Sequence, residues 1–282
     1  MDDGDNMKIL VVIPILNPPS WFFTDVISRL LSQSRKSDIL LINSGENIPS
    51  GDYEVINISK KDFNHANTRN IALQYDADFY LFITQDATPI TNKLIEKLLK
   101  NFENSEVAVA YARQVPYADA DASEIFTRET NYPNVSKIKS KDDLKTLGIK
   151  TFFSSDSCAM YRGDYFRAVN GFTKDLNSNE DMEFAARTIL VGRKVSYCAE
   201  AKVFHSHNFS LIQIWKRYRE IGIFFRENRW ILEEVSKYIH VESIGSKQAL
   251  QELLYLVKKA PLSIPYSIIV LIIKYVAYKS SF

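Results

Sequence analysis

The runs Ile9-Leu10-Val11-Val12-Ile13 and Ile39-Leu40-Leu41-Ile42, separated by an amphipathic helical pattern over residues 21–33, decide the fold. Both runs are apolar at every position, so both faces of each strand must be covered. That marks parallel strands between helical layers. A β-α-β opening is the predicted result, and the alternation continues. Strands are predicted over residues 53–58, at Phe79-Tyr80-Leu81-Phe82-Ile83 and at Val107-Ala108-Val109-Ala110-Tyr111, with helices over 66–75 and 92–101. The expected fold class is α/β, a Rossmann-like doubly wound, mostly parallel sheet with helices on both faces. Ligands bind such sheets beyond the carboxyl ends of the strands, which directs attention to the loops after Ile13, Ile42 and Ile83.

With 46% hydrophobic and 24% charged residues in 282, the composition is that of a folded globular chain. A formal net charge of +1 provides no basic field, which excludes nucleic acid as the expected partner. Cys158 and Cys198 lie far apart in segments that read as buried, as expected of free thiols in a reducing compartment. The acidic start Met1-Asp2-Asp3-Gly4-Asp5-Asn6 is the reverse of a secretory signal, so a cytoplasmic location is expected. Residues 262–278 are mostly apolar but are interrupted by Pro265 and Lys274. The unbroken run is shorter than the ~20 residues a spanning helix needs. This tail is expected either to lie on the inner face of the cell membrane or to pack on the core. Residues 117–150 are polar and irregular, and read equally as a cover over the active site or a solvated loop.

Four segments of the first half sit where chemistry is expected. Pro14-Ile15-Leu16-Asn17 and Asn43-Ser44-Gly45-Glu46 follow strands and suit a nucleotide base and ribose, although either is also an ordinary turn. Neither GxGxxG nor a P-loop is present. Phe63-Asn64-His65-Ala66-Asn67-Thr68-Arg69-Asn70 opens a helix. There the planar fork of Arg69 and the free N–H groups suit a diphosphate, the alternative being an Arg69–carboxylate pair. Thr84-Gln85-Asp86 ends a strand on a carboxylate that needs a cation or a donor. A divalent metal bridging to a diphosphate meets that need, and so does a helix N-cap.

Further along, Asn179-Glu180-Asp181 opens an amphipathic helix closed by Gly192. It reads either as a capped helix or as the carrier of a general base, with at most one of its two carboxylates facing the cleft. His205 and His207 fall on one face of a strand end, a spacing open to metal ligation.

Taken in order, these segments resemble the family-2 glycosyltransferases of the GT-A fold, and most of all their bacterial rhamnosyltransferase branch. The resemblance is carried by Phe63-Asn64-His65 with Thr68-Arg69-Asn70, Leu81-Phe82-Ile83-Thr84-Gln85-Asp86-Ala87, Ala112-Arg113-Gln114-Val115-Pro116, Asn131-Tyr132-Pro133, Glu180-Asp181-Met182 and His205-Ser206-His207-Asn208. It implies a divalent cation, Mg²⁺ or Mn²⁺, held by Asp86 and His205, with Asp181 as catalytic base. It also implies that Pro14, Asn17 and Asn43 line the nucleotide pocket, that Arg69 lies near the diphosphate, that Arg113 and Gln114 lie close to the donor sugar, and that Gln85 is a further residue binding the nucleotide-sugar or its cation.

The implied reaction moves a sugar, rhamnose from dTDP-rhamnose in particular, with inversion, to a hydroxyl of a cell-surface glycan or lipid-linked acceptor. The implied organisation is a disordered tail over residues 1–7, a GT-A catalytic domain over 8–210 and a C-terminal helical extension over 211–282 that contacts the membrane. Three positions depart from the family pattern: Thr84 replaces the first Asp of the Asp-x-Asp motif, Asn43 replaces a frequent Asp, and Ala66 a frequent Gly. Gln213 and Arg217-Tyr218 are one residue off the Gln-x-x-Arg-Trp spacing of processive synthases, which favours a non-processive enzyme. The reduced metal motif leaves a second reading, a non-catalytic sugar-nucleotide or glycan-binding module. A nucleotidyltransferase is disfavoured by the missing Gly-rich phosphate loop.

Overall fold

Among the residues described by the computed structural model, 7–239 and 242–282, nine strands form one sheet. They are β1 Ile9–Ile15, β2 Asp38–Asn43, β3 Glu54–Asn57, β4 Phe79–Ile83, β5 Thr88–Pro89, β6 Val107–Val115, β7 Lys137–Lys139, β8 Cys158–Arg162 and β9 Lys194–Phe204. The order across the sheet is β3-β2-β1-β4-β8-β6-β9-β5, with β7 paired to β9. The β-α-β opening is present: β1 pairs in parallel with β2 and β4, and β2 with β3. Alternate residues of these strands feed two cores, Leu10, Val12, Tyr80 and Phe82 on one face and Ile9, Val11, Leu81 and Ile83 on the other. Coverage of both faces is what the unbroken apolar runs require.

Helices α1 Ser28–Leu31, α2 His65–Asn70, α3 Leu94–Leu99, α4 Ala122–Asn131, α5 Leu144–Leu147 and α6 Gly163–Ala168 belong to the first part of the chain. They are followed by α7 Glu180–Leu190, α8 Leu211–Glu227, α9 Arg229–Ser236, α10 Glu242–Lys259 and α11 Ile264–Lys279. The pattern over 21–33 is realised as a π-helical stretch, Phe22–Ile27, leading into α1. The tail expected over residues 1–7 lies outside the described residues except for Met7.

Two elements differ from the expected alternation. Strand β8 is inserted antiparallel between β4 and β6, so the sheet is mixed at its centre. Residues 117–150 are not irregular, since they contain α4, β7 and α5. Asp121 caps α4 by accepting the Glu124 N–H at 2.8 Å. Phe126 and Tyr132 then bury the apolar side of a segment that is otherwise polar.

An aromatic nest fixes α7 to β8. Phe184 of α7 lies with ring centroids 5.1 Å from Tyr161, 5.5 Å from Phe166 and 5.5 Å from Phe172. These tilted and edge-on contacts add to the area buried by each ring.

The C-terminal helices pack on the rest of the chain through α10 and α11. Phe126 of α4 meets Tyr255 at 5.3 Å between centroids, and the Ser123 and Ser267 hydroxyls are 3.1 Å apart. Helices α8 and α11 approach closely at Gly222, where a Cβ would lie 2.3 Å from Ser281 Oγ and 2.6 Å from the Tyr278 carbonyl. The outer side of α11 leaves Ile268, Ile269, Ile272 and Tyr275 exposed. By length and composition alone, Pro261–Lys279 is long and apolar enough to cross a membrane.

Replacing Phe184 with Ala removes a large ring from the nest and should destabilise the fold by about 3–5 kcal/mol. Equilibrium urea unfolding measures this; a change below ~1 kcal/mol would show that the nest does not hold α7.

Candidate active site

The site begins where β1, β2 and β4 end together. Asn17 adopts a left-handed conformation at φ 43°, and its Oδ1 accepts the Glu46 N–H at 2.8 Å. Gly45 is required beside it, because a Cβ there would lie 2.2 Å from Asn17 Oδ1. Asn43 donates through Nδ2 to Asn57 Oδ1 at 2.9 Å and to the Glu46 carbonyl at 2.8 Å. Its Oδ1 accepts the Gly45 N–H at 3.0 Å. Gln85 Oε1 accepts the Leu16 N–H at 2.8 Å, tying the end of β4 to the loop after β1, and Pro14 lies in register with Ile42. The expected nucleotide-binding residues are therefore gathered at one edge, where the amides of Asn17, Asn43 and Gln85 shape the loops.

Beyond β4, Asp86 faces two imidazoles. Its Oδ1 is 3.4 Å from His205 Nε2, its Oδ2 is 3.5 Å from His207 Nε2, and the two Nε2 atoms are 3.1 Å apart. One ligand atom from each residue lies within 4.8 Å of the others, a donor set able to hold a metal ion. His205 is fixed from behind: its Nδ1 is 2.8 Å from Gln114 Oε1, an oxygen that also accepts from Arg128 Nη1. With its proton on Nδ1, His205 presents a free lone pair at Nε2.

Burial opposes ionisation of Asp86, but hydrogen bonding and charge from His205, with His207 behind it, hold its carboxyl well below the usual range. Burial, with His205 beside it, lowers His207 to about 4, so that ring stays unprotonated at neutral pH. His207 joins the expected ligand His205 in this cluster, and the spacing of the two histidines on one strand-end face is the sequence signal for it. A cavity of about 420 Å³ adjoins it, lined by Tyr117, Asp119, Asn208 and Phe209 among others.

Asp181 occupies the start of α7. Asn179, left-handed at φ 58°, turns the chain into the helix. Asp181 Oδ1 accepts the Met182 N–H at 2.7 Å and Oδ2 accepts the Asp156 N–H at 3.1 Å. Burial first, and then the neighbouring Glu180 carboxylate, push Asp181 up to about 6 despite those hydrogen bonds and Arg69. The carboxylate–imidazole cluster and Asp181 are connected, because Gln114 Nε2 donates to Ser155 Oγ at 2.8 Å, one residue before Asp156.

Arg69 is paired with carboxylates of the chain itself, the alternative its planar fork left open. Its guanidinium is buried, with Nη1 2.9 Å from Glu180 Oε1 and Nε 3.4 Å from Asp156 Oδ2. The N–H groups at the start of α2 also have another partner: Asn64 Oδ1 accepts from Ala66 and Asn67, each at 3.1 Å. Glu180 is buried against Arg69 while Asp181 is half-buried, so the acidic pair does divide between two environments. Gln114 is placed behind His205, and Arg113 is half-buried with its charge bearing on the Tyr197 phenol. Asp156, which carried no signal beyond a lone acid among serines, is the residue that sequence reasoning missed entirely.

The site thus combines a sheet edge of tied-down amides, a carboxylate–imidazole cluster and a carboxylate at a helix start. No family model matches the chain. It is 36% identical over 283 residues to the O-antigen chain rhamnosyltransferase RfbN of Salmonella typhimurium, covering 97% of this chain and 89% of that one. It is 40% identical over 227 residues to WbaN of Salmonella anatum, also an O-antigen chain rhamnosyltransferase, covering 80% of this chain and 71% of the relative.

Two solved structures share the fold. The mannosyltransferase PcManGT of Pyrobaculum calidifontis, in complex with GDP-Man and Mn²⁺, superposes with a TM-score of 0.60 at 12% identity, over 96% of this chain and 86% of that one. Residues 1–349 of S. aureus TarS superpose with a TM-score of 0.55 at 13% identity, over 98% and 90%. The chain belongs to the bacterial rhamnosyltransferases of the GT-A glycosyltransferase family, and is a nucleotide-sugar-dependent enzyme.

Gln114→Leu deletes the acceptor that holds His205 Nδ1–H. Loss of such a supporting bond is expected to weaken Mn²⁺ binding about 10- to 100-fold. Isothermal titration with Mn²⁺ reads this directly, and unchanged affinity would detach Gln114 from the cluster.

Proposed function

We propose that this enzyme transfers rhamnose from dTDP-rhamnose, with inversion, to a hydroxyl of a lipid-linked or cell-surface glycan. The observation that carries the reading is Asp181, a half-buried carboxylate held by two backbone N–H groups with its proton affinity raised to about 6. A base is most effective when it is ionised at working pH yet still basic enough to take a proton, and Asp181 meets both conditions. The names of the two Salmonella relatives support the sugar and the glycan acceptor.

In the step, Asp181 takes the proton of the acceptor hydroxyl. The freed oxygen lone pair forms the new bond to the anomeric carbon as the bond from that carbon to the diphosphate oxygen breaks. The bonding electron pair leaves with the nucleoside diphosphate. Attack from the face opposite the leaving group inverts the configuration. Pro14, Asn17, Asn43 and Gln85 shape the edge that receives the nucleotide, Arg113 flanks the donor from β6, and Gln114 holds His205 from behind.

Asp86, His205 and His207 would hold the divalent cation, which when bound supplies positive charge to the leaving diphosphate. One carboxylate and two imidazoles suit Mn²⁺ better than Mg²⁺, which prefers all-oxygen surroundings. The carboxylate–imidazole donor set and the Mn²⁺ in the PcManGT complex support that preference.

The same reading gives the C-terminal helices a peripheral contact with the inner face of the cell membrane. Leu262, at the turn between α10 and α11, is 96% exposed, and the exposed residues of α11 extend its apolar surface. Lys258, Lys259 and Lys279 add positive charge at the ends of α10 and α11, which suits an anionic lipid surface, while Lys274 is paired with Glu252.

Asp181→Asn should lower kcat about 10²- to 10⁴-fold in a dTDP-rhamnose transfer assay, and near-normal turnover would remove Asp181 as the base. Because the base must be ionised, kcat/KM should rise with pH and level off above about 6. A flat profile between pH 5 and about 7 would contradict the assignment. Leu262→Asp should reduce co-flotation with phosphatidylglycerol vesicles while leaving turnover of a soluble acceptor unchanged; equal flotation of both proteins would exclude this contact.

A further inference from the structure

Arg69 sits among carboxylates that surround the base. Arg69, Asp156 and Glu180 are 3%, 2% and 4% exposed, and Arg69 is the cation paired with both acids among the described residues. Its Nη1 also lies 3.2 Å from His65 Nδ1 and donates to the His65 carbonyl at 3.3 Å, while its Nε faces Asp156. Nη1 is thus taken up by protein atoms, while Nε meets Asp156 at ion-pair distance without a hydrogen bond.

Both of its acidic partners support Asp181. Glu180 precedes it in the first turn of α7, and Asp156 donates its backbone N–H to Asp181 Oδ2 at 3.1 Å. Asp156 is itself held on its other side by the Tyr161 hydroxyl, which donates to Oδ1 at 2.6 Å. We infer that Arg69 is a positioning residue for the base: by gripping Asp156 and Glu180 together it fixes the start of α7 against the loop before β8, and so sets the direction and ionisation of Asp181. This rests on Asp181 being the base.

The groups facing Asp181 are Glu180 on its own helix, Arg69 and His65 from α2, Asp156 from the loop, Tyr161 from β8 and Tyr132 after α4. Glu180 raises the proton affinity of Asp181 and Arg69 lowers it. The two substitutions must therefore move the acid limb of the pH profile in opposite directions.

The test compares full-length Arg69→Gln, Arg69→Lys, Glu180→Gln and Asp181→Asn in kcat, donor KM and pH dependence with dTDP-rhamnose. Arg69→Gln should lower kcat about 100-fold, the scale of a misplaced catalytic group, with donor KM within about threefold. Its acid limb should move to higher pH, and Arg69→Lys should recover part of the rate. Glu180→Gln, which keeps size and hydrogen bonding, should move the acid limb to lower pH, and it carries the test alone if Arg69→Gln does not fold. A raised donor KM at unchanged kcat in Arg69→Gln would overturn the inference and make Arg69 a donor ligand. Unshifted acid limbs in Arg69→Gln and Glu180→Gln would overturn it as well, while full activity in Asp181→Asn would instead remove the base assignment beneath it.

Discussion

Asp156 and Glu180 are both buried, and such burial is tolerable only because a cation is buried between them. Removing one partner of a buried pair leaves an uncompensated charge and costs about 3–5 kcal/mol. Arg69 is that cation, and the three residues come from three separate parts of the chain. Arg69 lies between the parallel strands β3 and β4, Asp156 leads into the inserted antiparallel strand β8, and Glu180 starts α7. Burial alone would loosen the proton on the guanidinium, but Glu180, Asp156 and Asp181 around it hold it more firmly than usual. Burial raises Asp156 well above the usual carboxylate range; Arg69 opposes that rise, and Asp181 and Glu180 add to it. The cluster is thus an electrostatic joint between the two halves of the sheet, and Asp181 is mounted on it.

The carboxylate–imidazole cluster and Asp181 are not independent fittings. Gln114 holds His205 with its oxygen and Ser155 with its nitrogen, and the residue after Ser155 supplies an N–H to Asp181. A single short loop before β8 therefore carries the separation between the group that would meet the leaving diphosphate and the group that would meet the incoming hydroxyl. Rigid spacing of this kind is what converts two binding events into one reactive geometry.

The parallel half of the fold was legible because β1, β2 and β4 are buried on both faces, and burial on both faces writes unbroken apolar runs. Strand β8 was not, since Cys158-Ala159-Met160-Tyr161-Arg162 is short, lacks β-branched residues and ends on a charge. Helix α4 was hidden for a related reason: its one buried residue, Phe126, is too few for a periodic signal. Asp86, Asp181 and the two histidines were legible because each sits at the end or start of a recognisable element. The partners of Arg69 were not, because Asp156 is brought to it only by the pairing of β8 with β4, and strand pairing between distant segments leaves no local trace. The charge of Arg69 could be read from the sequence, but where it would be spent could not.

Gly222 allows α8 and α11 to meet almost backbone to backbone. Helix α8 starts just past the histidines, and its Arg217 guanidinium lies 5.9 Å from the ring centre of Phe209, which stacks on His207 at 4.7 Å. The outer apolar side of α11 and the carboxylate–imidazole cluster are therefore opposite ends of one stiff strut. Any surface lying along α11 would be held at a constant heading to that cluster. A bulkier residue at position 222 would tilt that heading without touching a single group that takes part in the chemistry.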